Sequence, residues 1–166
     1  MARTIVGILR GGSSSEYDSS LKSGAALLQS LPEEKYDTRD IFIDRAGLWH
    51  SRGMPADPSR ALSQIDVVFN ALHGGAGEDG TVQRILQRAG MKYAGSNVQA
   101  SAASFNKIVA RHALQDAGVR IPQGLAFTIR DGTTGEMAMK VFAIFPPPYV
   151  VKPATEGSSH GIIIAE

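Results

Sequence analysis

The stretch DVVFNALHGG, residues 66–75, places a short apolar run directly before a histidine and two glycines. The segment is short and mostly apolar, with Val67 and Val68 directly after Asp66, which predicts a buried strand over residues 66–72. The amphipathic stretch from Thr81 to Ala89 then predicts a helix whose inner face carries Val82, Ile85, Leu86 and Ala89.

The start of the chain has the same order of strand, glycine loop and helix. Residues 4–9 predict a strand ended by Gly11 and Gly12, and residues 21–31 predict a helix. Further elements are expected next: strands over residues 36–43 and 91–94 and a short helix over residues 59–65. This alternation predicts an α/β fold, with a parallel sheet flanked by helices.

The pattern changes after residue 103, where we place a boundary between domains of residues 1–103 and 104–166. The second domain is predicted to contain a helix over residues 106–117 and an antiparallel hairpin with strands at 149–152 and 161–165. A strand over residues 125–129 and a helix over residues 134–145 are expected between them. The second domain is therefore predicted to be a smaller α+β unit.

The composition excludes several classes of function. The chain has no cysteine, which excludes disulfides, cysteine-ligated zinc and a thiol nucleophile, and we expect a cytoplasmic protein. Its 17 Lys and Arg nearly balance its 16 Asp and Glu, so charge gives no reason to expect nucleic acid or a membrane as partner. No apolar run approaches the length of a membrane span.

Two candidate site residues follow the predicted strands. Glu16 ends the loop GGSSSE, residues 11–16, and His73 begins the loop HGGAGEDG, residues 73–80. Open α/β sheets bind ligands at the carboxyl ends of their strands, where both loops lie. The alternative for the first loop is a tight turn in which Ser15 caps the helix and Glu16 favours the helix dipole. The alternative for His73 is a structural histidine.

The predicted hairpin carries the second set of candidates. Lys152 ends an apolar strand, and the loop that follows contains Gly157, Ser158, Ser159 and Gly161. Backbone N–H groups and hydroxyls in such a loop suit phosphate oxygens, although the pattern is not that of a P-loop. The alternatives are a flexible hairpin and, for Lys107 at the start of its helix, an ordinary exposed lysine.

Together these motifs resemble those of the D-alanine–D-alanine ligases of the ATP-grasp superfamily. The resemblance covers nearly the whole chain and rests on four segments: Gly11-Gly12 with Glu16 and Ser20-Leu21, His73-Gly74 with Gly77 to Thr81 and Gln83, Tyr93 to Ser96, and Val151 to Ser159. It implies a Rossmann-like pre-ATP-grasp substrate domain followed by a truncated ATP-grasp small lobe. The chain departs from the family at Tyr17-Asp18-Ser19, Asn106, Arg111 and His160.

The resemblance also implies a role for each candidate. Glu16 would hold the ammonium of the first D-alanine, His73 would lie near its carboxyl group, and the Ser158 hydroxyl would order the substrate side. Lys107, Lys152 and Ser159 would contact the phosphates of ATP. ATP and Mg²⁺ would serve the complete enzyme, in peptidoglycan precursor synthesis, but no metal ligand can be located in this chain.

Three interpretations remain open at the level of sequence. The chain is the N-terminal portion of such a ligase and is inactive alone, or it is a non-catalytic module that binds a ligand or a partner subunit. The third is a related ligase with another second substrate, such as D-lactate, which Ser19 leaves open. We expect association, either as a homodimer or with a complementary C-terminal half.

Overall fold

The computed structural model describes residues 2–166. These residues form two compact units, divided between Phe105 and Asn106. A division at residue 103 would cut the helix Val98–Phe105, so the first unit extends to the end of that helix. Each unit has its own sheet, of six and of two strands.

The sheet of the first unit has the order β4-β3-β2-β1-β5-β6. Its strands are β1 Thr4–Gly11, β2 Tyr36–Ile43, β3 Trp49–Ser51, β4 Met54–Pro55, β5 Val67–Asn70 and β6 Tyr93–Ala94. The four strands β2, β1, β5 and β6 are parallel, as the α/β pattern predicts. The expected run over residues 66–72 is shorter as a strand, and Phe69 within it is 40% exposed.

The sheet is parallel except at one edge. Strands β3 and β4 form an antiparallel hairpin on β2, with Ile43 opposite Trp49 and Ser51 opposite Met54. The sheet is therefore mixed. The hairpin gives β2 a partner on its outer edge, and Trp49 enters the core at 6% exposure.

Helices cover both faces of this sheet. They are α1 Tyr17–Ser30, α2 Pro58–Ala61, α3 Thr81–Arg88 and α4 Val98–Phe105. Leu27, Leu28 and Leu31 pack against Val6 and Ile8 on one face. The other face is the larger core, which contains Leu9, Ile41, Val68, Leu62, Val82 and Leu86.

Two helices of the first unit differ from the sequence prediction. Helix α1 begins four residues before Leu21. Helix α2 ends at Ala61, so only residues 59–61 of the helix expected over residues 59–65 are helical, and a turn follows over residues 62–64. Helix α4 was not predicted. The early start of α1 matters for the site because it places Glu16 at the N-cap position of that helix.

The end of β1 is joined to its neighbours through Gly11 and Ser20. A Cβ atom on Gly11, whose φ is +95°, would lie 2.1 Å from the carbonyl oxygen of Ile43, so glycine is required there. The fully buried Ser20 hydroxyl accepts the Gly11 N–H at 2.8 Å and donates to the Ala71 carbonyl at 2.9 Å. Helix α1 thereby fixes the ends of two parallel strands.

The second unit contains α5 Lys107–Asp116, α6 Thr134–Phe142 and the antiparallel pair β7 Tyr149–Val151 and β8 Ile163–Ala165. The hairpin is confirmed, with β8 two residues shorter than predicted. The strand expected over residues 125–129 is wrong, because these residues form no strand and Ile129 is 95% exposed. No residue from 106 to 166 is buried. Among the described residues no helix has the length and apolar character to cross a membrane.

Candidate functional site

The loops that carry Glu16 and His73 meet in the first unit, at the carboxyl ends of β1 and β5. The connection is the Ser14 hydroxyl, which accepts the N–H of Glu16 at 3.1 Å and donates to the carbonyl of His73 at 2.5 Å. Two loops separated by 59 positions are thus held by one side chain. This arrangement is consistent with the sequence prediction that both loops lie at the same edge of the sheet.

Gly74 lets the Glu16 carboxylate approach the second loop. Its φ is +66°, and a Cβ atom would lie 2.9 Å from Oε1 of Glu16 and 3.3 Å from Oγ of Ser14. A side chain there would be strained by the backbone and would also displace the carboxylate. Glu16 is half-buried, so it faces a partly shielded space.

The His73 imidazole is anchored to helix α1. Its Nε2 lies 2.9 Å from the Ser23 hydroxyl, while its Nδ1 has no hydrogen-bond partner among residues 2–166. Both side chains are half-buried. The ring is therefore held at one nitrogen and open at the other.

Two side-chain amides hold the loop after His73 through hydrogen bonds to one backbone carbonyl. Asn70 donates to the Gly77 carbonyl at 2.8 Å, and Gln83 donates to the same oxygen at 2.9 Å. Asp79 accepts the Thr81 N–H at 2.8 Å, although Gly80 holds the N-cap position of α3. These hydrogen bonds hold the loop that begins at His73 in a defined conformation.

The hairpin at the sheet edge packs near the start of α1. Phe42 lies between Tyr17 and His50, with ring centroids 6.3 Å and 5.4 Å away, and the Arg45 guanidinium lies 4.1 Å from the Tyr17 ring centre. The hydrogen bond from His50, together with the Leu48 and Ala46 N–H groups, lowers the pKa of Asp44 below its usual value.

In the second unit, Lys107 is attached to the loop between β7 and β8. Its N–H donates to the Ala154 carbonyl at 2.8 Å, and its ammonium donates to the carbonyl of Glu156. Asn106 caps α5, because its side-chain oxygen accepts the N–H groups of Ile108 at 3.0 Å and Val109 at 3.2 Å. The asparagine thus fixes the direction from which Lys107 reaches the loop.

The hairpin loop presents donors that the described chain does not use. Ser158 and Ser159 have φ angles of +49° and +60°, a conformation that costs non-glycine residues about 1 kcal/mol or more. Within residues 2–166 their hydroxyls and N–H groups, and the N–H of Gly157, donate no hydrogen bond. Lys152 is exposed and forms no ion pair with another described residue.

The predicted site residues thus form two groups, each within one unit. Glu16 and His73 meet in the first unit, and Lys107 meets the loop that contains Ser158 and Ser159 in the second. Within residues 2–166 no three His, Asp or Glu side chains are arranged to hold a metal ion.

Sequence reasoning missed the side chains that position the site, Ser14 and Ser23. Ser14 lies in a run of three serines that predicts only a turn, and Ser23 lies within the predicted helix. No local pattern separates a serine that binds a distant histidine from one that faces solvent. The spacing of Ser20 and Ser23, three residues apart on one helix face, is the available signal.

Comparison with known proteins gives concordant results in sequence and structure. Residues 50–96 match the family model described as D-ala D-ala ligase N-terminus. The D-alanine–D-alanine ligase of Paramagnetospirillum magneticum is 39% identical over 161 residues, covering 96% of this chain and 48% of the relative. The chain spans about half the length of the curated relatives it matches.

Solved structures agree over nearly the whole chain. The D-alanine–D-alanine ligase from Coxiella burnetii has a TM-score of 0.84 at 25% identity, covering 98% of this chain and 56% of that one. The VanG D-Ala:D-Ser ligase from Enterococcus faecalis has a TM-score of 0.83 at 28% identity, covering 98% and 55%. By sequence and by fold, the chain belongs to the D-alanine–D-alanine ligase family and corresponds to the N-terminal portion of its members.

Proposed function

We propose that the chain supplies the first-substrate site and part of the phosphate site of an ATP-dependent D-alanine–D-alanine ligase. The observation that carries the proposal is the pairing of Glu16 and His73 at one sheet edge through Ser14. A carboxylate beside an imidazole offers an acceptor for an ammonium and a donor for a carboxylate, which are the two charged groups of an amino acid.

The second unit supports the nucleotide side of the proposal. Lys107 brings a positive charge to the hairpin loop, and the free N–H groups and hydroxyls at residues 157–159 suit phosphate oxygens. Lys152, at the end of β7, would add a second charge. In the proposed role Ser159 donates toward the phosphates.

The reaction would proceed in two steps. The carboxylate of the first D-alanine takes the γ-phosphoryl group of ATP, which gives an acyl phosphate and ADP. The amine of the second D-alanine then attacks the acyl carbon, phosphate leaves, and a proton is lost from the nitrogen. The product would serve peptidoglycan precursor synthesis in the cytoplasm. Mg²⁺ would neutralise charge during phosphoryl transfer.

A test of this proposal is phosphate release from ATP in the presence of D-alanine. We expect no turnover from these residues alone, since the chain spans about half the length of its relatives. Turnover by the purified chain that is abolished by Glu16→Gln would contradict the expectation that the chain is inactive alone. Activity gained on adding the C-terminal half of a relative would support the proposal that the chain supplies part of a ligase site.

A second candidate is a related ligase with a different second substrate. The similarity to a D-Ala:D-Ser ligase, at a TM-score of 0.83, favours this second candidate, because ligases with this fold form more than one product. Both candidates share the first D-alanine, so they differ in what a reconstituted enzyme joins to it. Product analysis with D-alanine, D-serine and D-lactate offered together separates them.

We also propose that the hairpin of the second unit associates with another chain, either a second copy or a complementary C-terminal half. Val150, Val151, Ile163 and Ile164 are each more than half exposed, and β8 pairs with β7 alone. An apolar edge strand is a template for pairing. A non-catalytic module would bind its partner subunit through the same association. A strictly monomeric chain over a wide concentration range in light scattering would contradict a homodimer.

A further inference from the structure

We propose that Ser23 is a positioning residue that sets the tautomer of His73, and this inference rests on the proposed amino-acid site. The Ser23 hydroxyl lies 2.9 Å from Nε2 of His73. In this assignment the hydroxyl donates to Nε2, so the neutral ring carries its proton on Nδ1. That nitrogen has no partner among residues 2–166 and remains free to donate to a ligand carboxylate.

The position of Ser23 follows from the way α1 is fixed. Ser20, three residues earlier on the same helix face, bonds to both Gly11 and Ala71 and is fully buried. This buried anchor sets the rotation of the helix, and the next turn therefore directs Ser23 toward the residues that follow β5. The hydroxyl of Ser23 has no other partner within the described chain.

The His73 backbone is fixed separately from its ring. Its carbonyl accepts from Ser14, which leaves rotation about the side-chain bonds as the remaining freedom. The bond to Ser23 removes that freedom and distinguishes the two ring nitrogens. A donor directed at Nε2 favours the Nδ1–H form, whereas an isolated imidazole has no such constraint.

The chemistry of the neighbouring group agrees with this assignment. Glu16 lies beside Gly74 and is an acceptor, so it takes the ammonium of an amino acid. The carboxylate of the same molecule then needs a donor close by. The Nδ1–H form of His73 is a donor without carrying a full charge, whereas the opposite tautomer would present a lone pair there.

The test is the ¹⁵N NMR signature of the imidazole at neutral pH. The chain has four histidines, and a His73→Gln variant identifies the signals of His73 by their loss. We expect the wild-type His73 to show the Nδ1–H pattern. Ser23→Ala should change it to a mixed or Nε2–H pattern, Ser23→Thr should restore it, and Ser30→Ala, an exposed serine on the same helix, should leave it unchanged.

A wild-type Nε2–H pattern, or an unchanged pattern in Ser23→Ala, would overturn the assignment. A ligand measurement separates this inference from the proposed function. Ser23→Ala should weaken D-alanine binding about three- to tenfold, with Ser23→Thr close to wild type. If wild type binds no D-alanine, the amino-acid site fails, whereas the tautomer is still decided by the NMR signature.

Discussion

The Ser14 hydroxyl holds Glu16 and His73 together by accepting the amide of one and donating to the carbonyl of the other, at 3.1 Å and 2.5 Å. This bond joins the loop after β1 to the loop after β5. A carboxylate and an imidazole from distant parts of the chain thereby share one edge of the sheet.

Gly74→Ala should weaken D-alanine binding and cost roughly 1–2 kcal/mol of stability, because φ is +66° and the new Cβ would lie 2.9 Å from Oε1 of Glu16. Gly90→Ala is a matched control, since Gly90 also has a φ of +66° and nothing lies within 4 Å of its Cβ position. Gly74→Ala should lose more stability than Gly90→Ala in urea unfolding, because Gly74 combines its positive φ with a ψ of 171° and its Cβ would meet Glu16. Equal effects on D-alanine binding would contradict the role of Gly74.

Ser20→Ala should destabilise the first unit by about 1–3 kcal/mol, since it leaves the Gly11 N–H and the Ala71 carbonyl unpaired in a fully buried place. The single tryptophan, Trp49, lies in the core of that unit, so its fluorescence reports the transition. Ser30→Ala should stay within about 0.5 kcal/mol of wild type. Equal stability of the two variants would show that Ser20 is not an anchor.

Asp44 should make the edge hairpin sensitive to acid. Its pKa is lowered in the fold, mainly by the hydrogen bond from His50, so its stabilisation is present above the unfolded pKa near 3.8 and is lost as pH falls through the folded value. Asp44→Asn should therefore destabilise the first unit at pH 7 and much less near pH 3.

Urea unfolding followed by Trp49 fluorescence measures this pH difference. Glu34→Gln, which changes an exposed carboxylate elsewhere in the first unit, serves as the control. A loss in Asp44→Asn that is the same at both pH values would exclude ionisation of Asp44 as the cause.

Lys107→Ala should weaken ATP binding by about tenfold, because it removes both a charge and the bond that holds the carbonyl of Glu156. Arg120→Ala removes a positive charge from an exposed site in the same unit and should have little effect. Calorimetry with ATP measures both. Similar losses in the two variants would indicate a general effect of charge and no phosphate site at the hairpin loop.

Strands β1 and β5 could be predicted because their segments are mostly apolar and lead into glycine loops. Strand β2 has the predicted bounds, Tyr36 to Ile43. The edge hairpin could not be predicted, because β3 and β4 contain three and two residues, and their pairing depends on contacts with β2 rather than on local pattern.

The opposite error occurred at residues 125–129. The segment Leu125 to Ile129 has apolar residues at alternate positions, but no strand lies beside it to accept its hydrogen bonds, and Ile129 is 95% exposed.

The start of α1 was also not predicted, because its first turn contains Tyr17, Asp18 and Ser19, which are weak helix formers. The helix nevertheless begins there, because Ser20 ties that turn to two strands.

The candidate site shows the same limit. Glu16 and His73 could be proposed from glycine loops at strand ends, whereas Ser14 and Ser23 required the contact between loops that only the folded chain makes. The pairing of Lys107 with Glu156 likewise joins residues 49 positions apart. Local patterns predict which residue types carry charge or donors, and the tertiary fold decides which of them meet.

The central claim is that Glu16 and His73 form an amino-acid site, and an NMR titration of the ¹⁵N-labelled chain with D-alanine tests it most directly. We expect the amide signals of Glu16, His73 and Gly74 to shift with increasing D-alanine. Asp18→Asn, which changes an exposed carboxylate two residues away, should keep these shifts, and Glu16→Gln should lose them. Shifts of equal size in Glu16→Gln, or none in the wild-type chain, would contradict the account.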